Sequence, residues 1–241
     1  MKYRRARMFA LLLLTTILSL GVCGCMSVGK KESFSVDACI EYMNQKYGTK
    51  FEYIEPIDNH QPTASSMKIY VSHVDYPDSR ILVTAMRKDE GFRYLDNFVA
   101  IKYAEETCRT LQEADSAVYG ECRVAYDTNH LDVLTEDYDA STSFADYAKR
   151  IDADINAMLL IAPSQSPDQK EEKMNALAEQ LKAKQIVARL KIYYVSDQEA
   201  FESIQTETDV EQWNRKPDKW YAASGLLALD ENFEPKINRW G

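Results

Sequence analysis

The stretch at residues 155–195 reads INAMLLIAPSQSPDQKEEKMNALAEQLKAKQIVARLKIYYV, and it decides the fold. Its first part, 155–163, is an apolar run of the kind found in strands that are covered on both faces. Its last part, 187–195, alternates, and Leu190, Ile192 and Tyr194 share one side. A strand, a helix and a second strand of these lengths predict a right-handed parallel crossover.

The segment between the two strands predicts a helix that runs to about Lys184. Ser166, Pro167 and Gln169 stand at the N-cap, first and third positions of a capping box. Proline is favourable at the first helical position because its missing N–H has no partner there in any helix. The apolar face of this helix consists of Met174, Leu177, Ala178 and Leu181.

The first half of the chain predicts a helix and an antiparallel meander. Ser35 is suited to cap a helix that runs through Tyr47, and Gly48 ends it. Alternation of apolar and polar residues and a turn at 88–91 predict a hairpin and its neighbouring strands. The predicted strands are 51–56, 67–74, 80–87 and 92–95.

A second helix is predicted from Asp96 or Asn97 to the break near Gly120, because apolar residues recur there at helical spacing. A strand at 121–126 follows. The polar connection at 127–143 then carries five acidic residues. This connection is the predicted boundary between two halves of the domain, 34–128 and 143–241.

The rest of the second half predicts short helices and a C-terminal hairpin. The predicted elements are a helix at 143–151, a helix near 197–205, an irregular segment at 208–220 and a hairpin of 225–230 with 233–239. Together the two halves predict an α+β fold, with one continuous globular domain at 34–241.

The N-terminus has the pattern of a secretory signal. Lys2, Arg4, Arg5 and Arg7 precede the apolar run Met8–Val22. A spanning helix needs about 20 predominantly apolar residues, so this run is better suited to a signal peptide, placed at 1–24.

Val22, Cys23, Gly24 and Cys25 resemble the lipobox of bacterial prolipoproteins. The resemblance implies cleavage before Cys25 and a diacylglycerol thioether on that residue, while Cys23 is the less suited thiol because Val22 precedes it. Residues 25–33 would form a lipidated tether. Since two acyl chains anchor a protein stably, the domain is expected at the extracytoplasmic face of the bacterial cell membrane.

A second resemblance concerns the end of the first predicted helix. The letters KYG at 46–48, followed by Phe51, look like a pattern of small uncharacterised lipoproteins of Gram-positive bacteria. This resemblance supports export and implies no activity.

The excess of acidic over basic residues restricts the kinds of partner that the protein can bind electrostatically. The full chain has a net charge of −9, and removal of residues 1–24 takes four of its 29 basic residues and none of its 38 acidic ones. Nucleic acids and anionic lipid surfaces attract a basic face. We therefore expect no nucleic-acid partner and no electrostatic adhesion to lipid, so that the membrane contact is the acyl anchor.

No catalytic or cofactor motif is recognisable. The chain has no G-x-S-x-G, Walker or Rossmann glycine pattern, and its histidines lack metal-ligand spacing. The histidines are His60, His73 and His130, of which His73 shares its strand face with apolar residues. Residues 152–157 begin like a calcium loop, but Ala157 and Pro163 replace the required glycine and glutamate. We expect no cofactor and no metal.

The three cysteines of the predicted domain are Cys39, Cys108 and Cys122. Each lies on or beside an apolar face, which favours small buried thiols. A disulfide between Cys108 and Cys122 remains the alternative.

Tryptophans concentrate near the C-terminus and suggest a binding surface. Tryptophan, tyrosine and arginine concentrate binding energy where they are desolvated, although aromatic rings also pack cores. The candidate surface consists of Trp213, Arg215, Trp220, Tyr221 and Trp240.

The function predicted from these features is a binding or protein-interaction module of the cell envelope, directed at an envelope protein or a cell-wall ligand. The alternative is an envelope hydrolase that uses acidic residues of the 127–143 connection. Such an enzyme needs two carboxyl groups about 5 to 10 Å apart in a cleft.

Overall fold

The computed structural model describes residues 33–57, 65–126 and 136–241. The predicted signal segment, Cys25, His60 and His130 lie outside the described residues. Residues Phe34–Gly241 form one compact unit.

Seven helices, nine strands and one short 3₁₀ turn are present in the described ranges. No helix in those ranges is long and apolar enough to cross a bilayer. In chain order, the elements are α1 Val36–Tyr47, β1 Phe51–Pro56, β2 Ser66–His73, β3 Tyr76–Arg87, β4 Phe92–Asp96, α2 Phe98–Lys102, α3 Ala104–Tyr119, β5 Cys122–Ala125, α4 Phe144–Ala148, the 3₁₀ turn Ile151–Ala153, β6 Ile155–Ile161, α5 Lys170–Ala183, β7 Ala188–Val195, α6 Gln198–Ser203, α7 Glu207–Asn214, β8 Tyr221–Leu229 and β9 Pro235–Trp240.

The first sheet confirms the predicted meander. Its strands are ordered β1-β2-β3-β4, and every neighbouring pair is antiparallel. Helix α1 precedes it with both predicted ends: the Ser35 Oγ accepts a hydrogen bond from the Ala38 N–H at 3.3 Å, and Gly48 adopts a φ of 65°. A left-handed residue at this position is easiest for glycine.

The second sheet confirms the predicted crossover. Its order is β5-β6-β7-β8-β9, with β6 and β7 parallel and the other pairs antiparallel. Helix α5 connects the parallel strands and buries the four predicted residues, Met174, Leu177, Ala178 and Leu181. The predicted C-terminal hairpin is β8 and β9.

The predicted α+β fold is therefore confirmed. The larger of two buried cores includes side chains of both sheets, such as Ile69 and Leu190. A smaller buried cluster lies on the opposite face of the second sheet, where Met158 and Leu160 of β6 point toward α6 and α7. Because side chains alternate along a strand, the neighbouring Leu159 belongs to the larger core.

The predicted capping box before α5 is wrong. Helix α5 begins only at Lys170, and its N-cap residue Gln169 has a φ of 61° and no side-chain cap. The Ser166 Oγ accepts a hydrogen bond from the Asp168 N–H at 3.1 Å, while the Pro167 carbonyl accepts one from the Lys170 N–H at 3.2 Å. The residues of the expected box thus form a turn that precedes the helix.

Several other bounds differ from the prediction: β3 begins at Tyr76 rather than at 80, β8 begins at Tyr221 rather than at 225, and α4 ends at Ala148 rather than at 151. The segment expected to be irregular begins with α7, whose capping box joins Thr206 and Asp209. The helix expected after Asn97 is two helices, because the chain turns at Tyr103 between α2 and α3. Asp96 takes the capping contact there, since its Oδ1 accepts a hydrogen bond from the Phe98 N–H at 3.0 Å.

Candidate functional site

The two faces of the second sheet separate the residues of the predicted binding surface. Trp240 packs against the larger core, with its ring centroid 5.6 Å from that of Tyr194. Trp213 and Trp220 belong to the smaller cluster on the opposite face. The prediction of one surface that includes Trp240 is therefore wrong, because the alternation of side chains along the strands sends it to the other side.

Trp213 and Trp220 are packing residues. Their exposed fractions are 8% and 2%, and each indole N–H has an internal acceptor. Trp213 Nε1 donates to the Ser203 Oγ at 3.1 Å, and Trp220 Nε1 donates to the Asn214 Oδ1 at 2.9 Å. The Trp213 indole thus joins α7 to α6, and the Trp220 indole joins the residue before β8 to the end of α7.

The charged residues beside these indoles are exposed. Residues 215–219, here called the basic loop, connect α7 to β8 and carry Arg215, Lys216 and Lys219. Lys216 Nζ lies 3.0 Å from the ring centroid of Trp213, and Lys219 Nζ lies 4.5 Å from that of Tyr221. None of the three cations forms a salt bridge with a residue in the described ranges.

An aromatic cluster supports the C-terminal end of the basic loop. The ring centroids of Tyr193, Trp220 and Tyr221 lie 4.9 to 5.4 Å apart. The Trp220 carbonyl accepts a hydrogen bond from the Ser196 N–H at 2.8 Å, which fixes the backbone there. Burial, followed by the effect of Tyr221, raises the pKa of Tyr193. The Tyr193 side chain therefore stays neutral and adds no negative charge beside the basic loop.

This arrangement is suited to binding anions. Ammonium and guanidinium groups form strong, charge-assisted hydrogen bonds with carboxylates and phosphates. Cations over ring faces are attracted to the rings, which restricts their positions. In a chain with a net charge of −9, the basic loop is a local positive feature.

Three residues of this candidate site were not named from the sequence: Lys216, Lys219 and Tyr193. Lys216 and Lys219 stand between the two tryptophans, so the letters at 213–221 contained the signal. Tyr193 lies on β7. Side chains alternate along that strand, and this alternation alone indicates that Tyr193 and Tyr194 point to opposite faces of the sheet. Tyr221 was predicted and packs against Trp220, and Arg215 was predicted and lies exposed in the basic loop.

The cysteines are free thiols in the structure. Cys39 is buried, whereas Cys108 and Cys122 are partly buried, and the alternative disulfide is not formed. Burial raises the pKa of Cys39 to about 12 and that of Cys122 to about 11. A thiol of high pKa holds little thiolate at neutral pH, so these residues are poor nucleophiles.

His73 is a buried residue of the first sheet. Its Nε2 lies 2.9 Å from the Thr49 Oγ1, and its Nδ1 accepts a hydrogen bond from the Asp75 N–H at 3.2 Å. Aromatic rings, including those of Phe51 and Phe98, surround the imidazole. Across the described ranges, no group of three histidine, cysteine or acidic residues is placed to hold a metal ion.

The acidic residues of the central connection that the structure describes have structural partners. Glu136 pairs with Arg93 at 2.7 Å, and Asp137 pairs with Arg150 at 3.0 Å. Asp139 accepts a hydrogen bond from the Ser141 N–H at 2.8 Å. Asp132 lies outside the described residues, and the hydrolase alternative stays a prediction.

Comparisons with known proteins give one structural similarity. No protein-family model and no curated protein matches the sequence. The chain is similar to the crystal structure of a DUF5037 family protein from Ruminococcus gnavus, with a TM-score of 0.43 and 13% identity over 83% of this chain and 93% of that one.

Proposed function

We propose that this protein is an exported, lipid-anchored binding module of the bacterial cell envelope, which holds an anionic partner through the basic loop. One observation carries the binding part of the proposal. Arg215, Lys216 and Lys219 are exposed, and none has a salt-bridge partner in the described ranges. Unneutralised cations on a rigid support attract anionic groups at little cost in lost side-chain freedom.

The anchoring part of the proposal rests on the lipobox resemblance around Cys25. It is tested by expressing Cys25→Ala and Cys23→Ala variants in a bacterial host and by following lipid labelling and membrane fractionation. We expect Cys25→Ala to abolish the labelling and Cys23→Ala to retain it. Unchanged labelling of the Cys25→Ala variant would disprove the assignment.

The binding part is tested by cross-linking the full-length protein in cells, followed by mass spectrometry of its partners. The variant of interest is Lys216→Gln/Lys219→Gln. A matched control is Lys170→Gln/Lys173→Gln, because those lysines also lie over aromatic rings, 5.5 Å from Trp240 and 5.9 Å from Tyr119.

We expect a partner that is captured by the wild type and by the control variant but lost from the basic-loop variant. Equal recovery from both double variants would show that the basic loop is not the binding surface. Loss from both would point to net charge rather than to this loop, and it would also overturn the assignment.

A further inference from the structure

A cleft at one end of the second sheet has the features of a small-molecule site, and it is separate from the basic loop. The cleft has a volume of about 170 Å³ and lies where β6 and β7 begin and where β8 passes into β9. Its apolar floor includes Val187 and Ile237, whereas Ile155 and Leu229, which also line the cleft, belong to the larger core. Ile151 lines the cleft as well and is 47% exposed.

Three charged residues line the cleft above this floor. They are Asp154, Arg189 and Lys236. None of them forms a salt bridge with another or with a further residue of the described ranges. The cleft therefore combines one carboxylate with two cations that form no salt bridge in the described ranges, although Lys236 contributes to the lowered pKa of Asp230.

The backbone around Asp154 is specialised. Asp154 adopts a φ of 45°, in the left-handed region, between the 3₁₀ turn and β6. Its carbonyl accepts a hydrogen bond from the Asn156 Nδ2 at 2.8 Å, whereas its carboxylate has no partner in the part of the chain that the structure describes. Aspartate and asparagine tolerate this conformation better than most residues, so the position is compatible with either.

We propose that this cleft binds a zwitterionic ligand with an apolar side chain, namely a free α-amino acid of the aliphatic class. Arg189 and Lys236 bind the ligand carboxylate, because the guanidinium fork and the ammonium group are the preferred carboxylate partners. Asp154 binds the ligand ammonium, and the aliphatic floor takes the side chain. The cleft is smaller than the roughly 300 to 1,000 Å³ of drug-sized pockets, which suits one amino acid.

The proposal is tested by titrating three probes into the purified full-length protein and following binding by calorimetry and by NMR. The probes are L-leucine, 4-methylpentanoate, which lacks the ammonium group, and 3-methylbutylamine, which lacks the carboxylate. We expect L-leucine to bind about tenfold or more tightly than either analogue, because each analogue leaves a charged group of the cleft without its partner.

Two variants and one control locate the site. Asp154→Asn and Arg189→Gln should each weaken L-leucine binding about tenfold, while Asp154→Asn keeps the backbone conformation that the turn requires. Arg239→Gln is the control. In the sheet, Arg239 is paired with Leu226 and Leu226 with Lys191. Lys191 is two residues from Arg189 on β7, so Arg239 lies on the same face of the sheet as Arg189. Arg239 does not line the cleft.

No binding of L-leucine to the wild type would overturn the proposal. The proposal would also be overturned if 4-methylpentanoate bound as tightly as L-leucine and Asp154→Asn left L-leucine binding unchanged. That result would indicate a site for the carboxylate alone. Because the basic loop contributes no residue to the cleft, failure of this proposal leaves the proposed function untouched, and the reverse also holds. Thermal unfolding of each variant identifies any loss of binding that comes from misfolding.

Discussion

Lys46 and Asp96 form a buried ion pair that joins α1 to the end of β4. The Lys46 Nζ lies 2.7 Å from the Asp96 Oδ2, and the two side chains are 9% and 1% exposed. Asp96 also accepts hydrogen bonds from the hydroxyls of Tyr42 and Tyr47, at 3.1 and 2.7 Å. The carboxylate is thus fully hydrogen-bonded, which is the condition under which a buried charge is tolerated.

Replacing Lys46 by methionine should therefore destabilise the protein strongly. Removal of one partner of a buried ion pair leaves the other charge uncompensated and typically costs about 3 to 5 kcal/mol. Chemical denaturation measures the change in the free energy of unfolding. Lys50→Met is the control, because Lys50 pairs with Glu52 on the surface and its side chain is 79% exposed. Similar effects of the two substitutions would contradict the role of the buried pair.

Gly225 is required by its close contact with Trp240. A Cβ atom at residue 225 would lie 2.7 Å from Cε3 of Trp240 and 2.8 Å from Cε of Met174. The Met174 terminus can move, but the indole is rigid, so Gly225→Ala should cost about 1 to 3 kcal/mol through overpacking. Gly241→Ala is the matched control, since a Cβ there would meet nothing nearer than 3.8 Å. An unchanged unfolding midpoint for Gly225→Ala would show that Trp240 can be displaced without cost.

The sequence predicts those parts of the fold that depend on periodicity and on end signals. Strand β6 follows from its apolar run, and strand β7 and the buried face of α5 follow from the spacing of their apolar residues. Ser35 and Gly48 mark the ends of α1, because a cap acts on backbone groups within one turn. These signals are local, so one sequence suffices to read them.

Features that depend on how the elements pack against each other cannot be predicted from such local signals. The letters at 166–169 fit a capping box, yet the Ser166 side chain bonds the Asp168 N–H within a turn, and the box that forms is at Thr206 and Asp209. For the candidate site, the cluster of aromatic and basic letters at 213–221 predicts a binding surface there, and that stays a prediction. The sequence does not show that Trp240 leaves this cluster, since the register of β9 against β8 decides that.

Asp115 should make the stability of the protein depend on pH. Its side chain is fully buried in α3, neither carboxyl oxygen has a hydrogen-bond partner in the described ranges, and burial raises its pKa well above the usual value. The folded state therefore binds this proton more tightly than the unfolded state does. The free energy of unfolding should fall as the pH rises from the unfolded toward the folded pKa.

Asp115→Asn removes this titration and keeps the size of the side chain. We expect the variant to match the wild type at about pH 4 and to be more stable at about pH 8, by about 1 kcal/mol or more. Denaturation at a series of pH values measures the difference. Asp168→Asn, at an exposed position, removes the same charge and serves as the control. A difference between Asp115→Asn and wild type that does not change with pH would refute the explanation.

Arg123 should stabilise α6, the helix to which the Trp213 indole is hydrogen-bonded. Its guanidinium donates to the carbonyls of Phe201 and Ile204 at the end of α6, with Nε 3.0 Å from the Phe201 oxygen. Arg123→Lys retains the charge but not the fork, so one of these carbonyls loses its donor. We expect a cost of about 1.5 to 3 kcal/mol, the usual value for hydrogen bonds to charged groups.

Because the Trp213 indole donates to Ser203 on the same helix, Arg123→Lys should also change the tryptophan fluorescence at temperatures below global unfolding. Arg109→Lys provides the comparison, since Arg109 is exposed and forms a surface pair with Glu106 at 3.6 Å. A fluorescence change that appears only together with global unfolding would mean that α6 is held by its apolar contacts, with Arg123 contributing little to the position of Trp213.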